Sequence, residues 1–287
     1  MRRTLLLALA VLATAAAPVF AQDQPLTVMA FNLRYASNTP PNAWPDRRPV
    51  VREVIERWAP DIVGTQEGLY QQLRDIDSDL PAYAWIGEGR DGGSGGEFMA
   101  VFYRTDRLEP RQYGHYWLSD TPETIASRSW GNTLPRMVTW VRFRDRASGR
   151  EHYLINTHFD HQSQPSRERS AALVIARAAG LDSLLPVILV GDFNAAAGEN
   201  PVHAILTRDG GFADTWTAAG HRDTLGTFHD FRGLETARGA GRIDWILVRG
   251  RVETLSADIV TDQRDGQYPS DHFPVIARVR LPATAPR

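Results

Sequence analysis

The sequence predicts an α/β or α+β fold built on mixed sheets. Short β-branched runs alternate with segments of helical apolar period through residues 26–281. Two runs, 135–145 and 150–160, are joined by the turn sequence Arg146-Ala147-Ser148-Gly149 and read as a hairpin, which brings antiparallel pairing into the sheet. No repeat and no linker with a shifted composition interrupts the chain, so residues 22–287 read as one domain and are expected to be monomeric.

The elements follow in order. Residues 1–21 carry Arg2 and Arg3, an apolar run, and Val19-Phe20-Ala21, the small-x-small pattern of a cleaved signal peptide. The run is short for a membrane span, so a secreted or periplasmic mature chain starting at Gln22 is expected. Residues 26–35 read as a strand. Residues 47–60 place Val50, Val51, Val54, Ile55 and Trp58 on one helical face, with Pro60 as the stop. A short strand spans 61–68, and a second helix spans 69–80 before Pro81. After a glycine-rich turn, taken as flexible (Gly89–Glu97), a strand covers 97–104. Residues 111–133 read as the least regular stretch and as a candidate binding loop. Beyond the hairpin come a helix over 163–180, a buried strand over 184–194, strands over 241–250 and 272–281, and a frayed tail.

Composition narrows the chemistry. The chain has 287 residues, 32 basic and 34 acidic, and no Cys. All of the basic residues are Arg. Removing Arg2 and Arg3 with the leader leaves a net charge of −4. That balance disfavours a nucleic-acid substrate, whose binders gain affinity by releasing counterions to a basic surface. Without Cys there are no disulfides, no thiol catalysis and no thiolate zinc site.

Several polar residues share one placement, where an apolar strand ends. Asn32 follows Val28–Phe31, Glu67 follows Ile62–Gln66, and His158 follows Tyr153–Thr157. Asp192 and Asn194 follow Val187–Gly191, spaced by two and so on one face. Asp244 stands among Ile243, Trp245 and Ile246, and a carboxylate in such company needs a cation or a hydrogen-bonding His. Asp271 and His272 open the last strand. Taken singly, each has a bland reading: a solvated turn residue, a structural His, an Asx turn. Together they supply oxygen ligands for a hard cation such as Mg²⁺, or Mn²⁺, and imidazoles for acid–base work.

The blocks "FNLRY", "GTQEG", "NTHFDH", "GDFNA", "RIDWILV" and "SDHFPV", in this order over residues 26–281, resemble the endonuclease/exonuclease/phosphatase superfamily, in a secreted bacterial branch. The resemblance implies a four-layered α/β/β/α sandwich of two packed mixed sheets flanked by helices, with the site at one end. It implies Glu67 as the main Mg²⁺ ligand, with Asn32 and Asp271 close by. It implies His272 as general base or phosphate-orienting imidazole, paired with Asp244. Asp192 and Asn194 would position the attacking water and a phosphate oxygen, with either Asp192 or His272 as the base. His158 would touch phosphate or protonate the leaving group, and Arg136 would contact phosphate. Arg34 stands where apurinic endonucleases carry an acid, which aligns the metal site with the deoxyribonuclease arrangement.

The leading substrate reading is a phosphate mono- or diester of phosphosugar, glycan or lipid-headgroup type. Tyr113, His115, Trp117 and Trp130 would stack on a sugar, with Trp130 named as a substrate contact; loop packing is the bland alternative. The second reading is an extracellular nuclease, which needs a basic stripe from Arg47, Arg48, Arg104, Arg107, Arg111, Arg128 and Arg136. A non-catalytic binding module is opposed by the intact set Glu67, Asp192, Asn194, Asp271 and His272.

Overall fold

The computed structural model describes residues 24–222 and 225–282. The expected signal peptide and most of the expected frayed tail lie outside the described residues. Among those described, no helix is long and apolar enough to cross a membrane.

Among the described residues, fourteen strands form two six-stranded sheets and one small ribbon. The first sheet contains β1 (Leu26–Asn32), β2 (Ile62–Gln66), β4 (Tyr83–Ile86), β6 (Val101–Arg104), β13 (Glu253–Ile259) and β14 (Val275–Arg280). The ribbon pairs β3 (Gly68–Leu69) with β5 (Glu97–Phe98). The second sheet contains β7 (Leu108–Trp117), β8 (Met137–Asp145), β9 (Glu151–His158), β10 (Val187–Asp192), β11 (Ala213–Asp214) and β12 (Asp244–Arg249). The strand orders are β13-β14-β1-β2-β6-β4 and β11-β12-β10-β9-β8-β7. Read in those orders, each sheet pairs antiparallel, antiparallel, parallel, antiparallel, antiparallel. The two sheets therefore repeat one pattern, with a parallel pair at each centre.

Side-chain alternation assigns the layers. On β1, Leu26, Val28 and Ala30 enter the core between the sheets. Met29 and Phe31 face outward onto α1 (Trp44–Trp58) and α2 (Tyr70–Asp79), where Val51, Val54, Ile55, Leu73 and Ile76 cover them. In the second sheet Ile188, Val190, Leu154 and Ile246 face inward. Leu189, Ile155 and Leu247 face α3 (Gln164–Ala179) through Ala171 and Val174. The result is helices, sheet, sheet, helix, the four layers expected. Gly64 lets the sheets approach: a Cβ there would collide with Val190 and sit 3.1 Å from Asn156.

Several elements depart from the sequence reading. The first helix starts three residues earlier than expected, with Pro in its first turn, and ends at Trp58, where Ala59 takes a left-handed φ of 41°. Residues 97–104 are two strands rather than one. Of the stretch read as irregular, 118–133 are irregular as expected, while residues 111–117 belong to β7, an edge strand whose Pro, Gly and Arg residues hide its period. Its Trp117 is buried and its Tyr113 exposed. The strands β4 and β13 were not foreseen, being short or polar at sheet edges, where one face meets water. Asp271 and His272 do not open the last strand; they precede it by three residues or more.

His152 lies on the inner face of β9 at the end remote from His158. It is fully buried against Phe143, and neither ring nitrogen has a partner. Burial pushes it down to about 4. Its folded pKa lies below the unfolded value, so the folded state stays neutral while the unfolded chain takes up a proton. Stability is full above about pH 6.5 and falls as pH drops toward 4. Between pH 7 and pH 5 this residue should cost about 2 kcal/mol. Urea unfolding at both pH values should show His152→Leu losing that much less than the parent; equal losses would refute this origin.

Candidate active site

The topology gathers the strand-end residues. The parallel centres β1–β2 and β10–β9 end where the antiparallel neighbours β14 and β12 begin. Asn32, Glu67, His158, Asp192, Asp244 and His272 therefore meet at one end of the sandwich. Register confirms it: Asp192 stands opposite both His158 and Asp244. Continuing the alternation, Asn32, His158, Asp192 and Asp244 point between the sheets, and each is buried. Behind them Gln66 Nε2 donates to Asn156 Oδ1 at 2.7 Å, tying one sheet to the other.

The buried groups bond chiefly to one another, though His158 Nδ1 and Asp244 Oδ1 have no hydrogen-bond partner. Asn32 Nδ2 donates to Glu67 Oε1 and to Asp192 Oδ2, both at 3.0 Å, while its Oδ1 accepts from the Arg34 N–H. His272 Nδ1 bonds Asp244 Oδ2 at 2.9 Å, and its Nε2 faces Asp192 Oδ2 at 3.9 Å. Asn194 donates through Nδ2 to the Phe159 carbonyl at 3.1 Å and meets His158 Nε2 at 3.0 Å. A carbonyl only accepts, so the NH₂ end of Asn194 faces this way and His158 Nε2 must accept too. His158 is then neutral, with its proton on Nδ1.

Electrostatics separate the two imidazoles. Burial drives His158 well below its usual value, and the cations Arg136 and His272 push it further. Burial alone would also lower His272, but Asp244, with Asp192 and Asp271 behind it, holds it well above. Burial and the charge of Asp244 raise Asp192 to about 7. Burial raises Asp271 as well, against the pull of His272. The end of the sandwich thus holds one cationic imidazole, one neutral imidazole, and a carboxyl poised near neutrality, the separation acid–base work requires.

The backbone is strained where the site is. Arg34, Glu67 and Asn194 take left-handed φ values of 52°, 62° and 48°. Such residues cost about 1–2 kcal/mol each and persist where the surroundings fix them. One fixing residue is Arg47 on α1, fully buried. Its five donors reach the carbonyls of Asn42, Leu33, Pro269, Arg34 and Tyr35. It thereby clamps the loop after β1 to the segment that carries Asp271 and His272.

A cleft of about 360 Å³ opens over these groups, lined also by Tyr35, Arg90, Glu97, Leu134, His161 and Phe228. Donor atoms of Glu67, Asp192 and His272 lie within 4.8 Å of one another. Asp271 borders the same cleft, 3.7 Å from Arg34 Nε, and Arg34 Nη1 is 3.9 Å from Glu67. This clustered set of carboxylate oxygens suits a hard divalent cation. Arg136 is buried in the cleft wall with Nη2 on His161 Nδ1 at 2.9 Å, while its Nε and Nη1 find no hydrogen-bond partner.

Of the expected site residues, Asn32, Glu67, His158, Asp192, Asn194, Asp244, Asp271, His272 and Arg136 come together here. Trp130 does not join them. Its indole N–H is spent on Asp120 and its ring lies under Arg169, outside the residues lining the cleft. Tyr113, His115 and Trp117 are also absent from the lining, because β7 carries them along the far edge of the second sheet. Arg90, Glu97 and His161 went unforeseen. His161 closes the quoted block "NTHFDH" and could have been read there; Arg90 and Glu97 were hidden in glycines taken for a flexible turn.

The arginines that a nuclease reading would need as a basic stripe are otherwise engaged. Arg47 and Arg136 are buried. Arg48 pairs with Asp75 and Asp79, Arg104 with Asp106, Arg107 with Asp61 and Asp145, and Arg111 with Glu109. Arg128 donates to the Thr133 carbonyl.

Comparison with known proteins gives this geometry a context. Residues 29–272 match the Endonuclease/Exonuclease/phosphatase family. The structure is similar to an endonuclease/exonuclease/phosphatase from Bacteroides vulgatus, with a TM-score of 0.84 and 31% identity over 90% of this chain and 99% of that one. It is similar to the mannosyl-6-phosphatase Bt3783 of Bacteroides thetaiotaomicron, with a TM-score of 0.82 and 35% identity over 88% and 99%. Uncharacterized protein L388 of Acanthamoeba polyphaga mimivirus is 29% identical over 161 residues, 53% of this chain. The match spans 59% of that relative's length.

Two outcomes test the site's construction. Asp244→Asn should move the His272 titration downward, followed by imidazole NMR; an unmoved titration would mean that Asp244 does not set its charge. Arg47→Met should cost about 3–5 kcal/mol in urea unfolding, because it strands buried carbonyls. A loss under 1 kcal/mol would show the clamp to be dispensable.

Proposed function

Because the chain belongs to the endonuclease/exonuclease/phosphatase family, we propose that it is an exported phosphomonoesterase that removes phosphate from a sugar. As a member it is a metal-dependent phosphoester hydrolase. Export rests on the pattern of residues 1–21. The observation that carries the substrate reading is the placement of cations. Arg34 and Arg136 line the cleft, while outside it Arg48, Arg104, Arg107 and Arg111 are each paired with an acid. That arrangement suits a compact anion entering a pocket and gives little grip on a polynucleotide backbone. The mannosyl-6-phosphatase likeness favours a sugar monoester over the lipid and diester alternatives.

The residues then divide the work. Asp192 takes the proton of a water attacking in line, its pKa near the working pH, as the bond from phosphorus to the sugar oxygen breaks and that oxygen leaves, taking a proton from solvent. His272, fixed by Asp244 and cationic, donates Nε2–H to a phosphoryl oxygen. Asn194, its Nδ2 held by the Phe159 carbonyl and His158, keeps its Oδ1 as an acceptor for the attacking water. Arg136, with Nη2 on His161 and Nε 3.7 Å from Asp160, sets its positive charge in the cleft wall beside the charge that grows in the transition state. Glu67, with Asn32 and Asp271 beside it, would hold Mg²⁺ or Mn²⁺. The bound cation supplies charge neutralisation at the phosphate ester.

Residues 22–287 should be assayed near pH 7.5 with Mg²⁺ against a nitrophenyl monoester, a nitrophenyl diester, hexose 6-phosphates and duplex DNA. Monoester and sugar phosphate turnover that stops with EDTA is expected. Asp192→Asn, His272→Ala and Glu67→Ala should each lower kcat by about 10²–10⁴-fold. Efficient, salt-sensitive DNA cleavage would transfer the assignment to a nuclease.

A further inference from the structure

The glycine-rich stretch between β4 and β5 is an ordered hairpin. Gly89 donates to the Gly93 carbonyl, Arg90 to Glu97, Asp91 to Gly95, Gly92 to Gly89, and Gly95 to Gly92. A Cβ on Gly89 would collide with the Gly95 carbonyl, and Gly96 holds a φ of 72°, so only glycine permits so tight a winding. The hairpin is pinned to the second sheet, because Trp117 Nε1 donates to the Arg90 carbonyl at 2.7 Å.

This tight frame sends two side chains into the cleft lining. Arg90 Nη1 pairs with Glu97 Oε2 at 2.6 Å. Arg90 is 8% exposed, and its Nε is buried with no hydrogen-bond partner. Glu97 Oε1 takes no hydrogen bond from any described residue, and burial raises the carboxyl above its usual range. The pair therefore presents donors and an acceptor side by side at a fixed spacing. The reaction described above makes no use of either residue.

We propose that Arg90 and Glu97 form a subsite for the hydroxyl groups of the sugar that carries the phosphate. Each hydroxyl both donates and accepts, so adjacent hydroxyls satisfy a guanidinium and a carboxylate together. The pair is held by its hairpin before substrate arrives, which spares the cost of ordering two long side chains on binding. It is a specificity device: it grips the leaving alcohol, while His272 and the bound cation hold the phosphoryl group. This inference rests on the sugar-phosphate reading.

The test compares kcat/KM for a hexose 6-phosphate with kcat/KM for nitrophenyl phosphate, which lacks those hydroxyls. Glu97→Gln and Arg90→Gln should each lower the ratio of the two at least tenfold, mainly through KM for the sugar. Misfolding lowers both substrates alike and leaves the ratio in place, so the ratio reads the subsite itself. A ratio unchanged in both variants, with the parent active on the sugar phosphate, overturns the subsite and spares the functional reading. A parent that hydrolyses nitrophenyl phosphate and none of the hexose phosphates overturns the sugar reading and the subsite with it.

Discussion

A strand that buries Val28 and Ala30 between two sheets must also bury whatever stands at position 32. The same holds for Ile188, Val190 and then Asp192, and for Leu154, Asn156 and then His158. Alternation leaves these positions no route to solvent except at the mouth of the sandwich. Polar groups there must satisfy one another or face a ligand. Asn32 does the first by bridging Glu67 and Asp192 across the sheets. Arg136 does both, since Nη2 bonds His161 and Nε lies 3.7 Å from Asp160 while Nη1 has no hydrogen-bond partner. The active end is what this inner face becomes where the apolar side chains stop.

That constraint makes the surroundings serve the site. The parallel pair at the centre of each sheet sets two strand ends side by side, and the antiparallel neighbours bring in Asp244 and the segment before β14. Arg47 then joins loops that no strand could align. Strain at Arg34, Glu67 and Asn194 is tolerated because such contacts hold these residues from several directions.

Much of this was legible in the sequence, for a physical reason. Asn32, Glu67, His158, Asp192 and Asp244 end or begin strongly apolar strands, and ionisable groups in that setting are conspicuous. Their partners were less so. Arg47 looks like any helix-surface arginine, because its worth lies in carbonyls distant along the chain. Arg90 and Glu97 sit among glycines, whose sequence cannot distinguish a loose turn from a tight hairpin. The aromatic residues of β7 misled in the opposite direction: the edge strand that carries them breaks its own pattern with Pro110 and Gly114, so a strand passed for a loop, and Trp130 lies in the turn beyond it. Paired arginines likewise read as a basic stripe until their acids were seen beside them.

The interleaving of the two sheets has a consequence for the chain as it is made. β1, β2, β4 and β6 are synthesised first, the whole second sheet next, and β13 and β14 last. Until β14 arrives, β1 has an unpaired edge, and the nascent protein lacks Asp271 and His272 altogether. Pairing across so much sequence is slow to form. A half-made chain can therefore lay down the second sheet early, yet it has no hydrolytic centre while it is still being built. Activity arrives with the final strand.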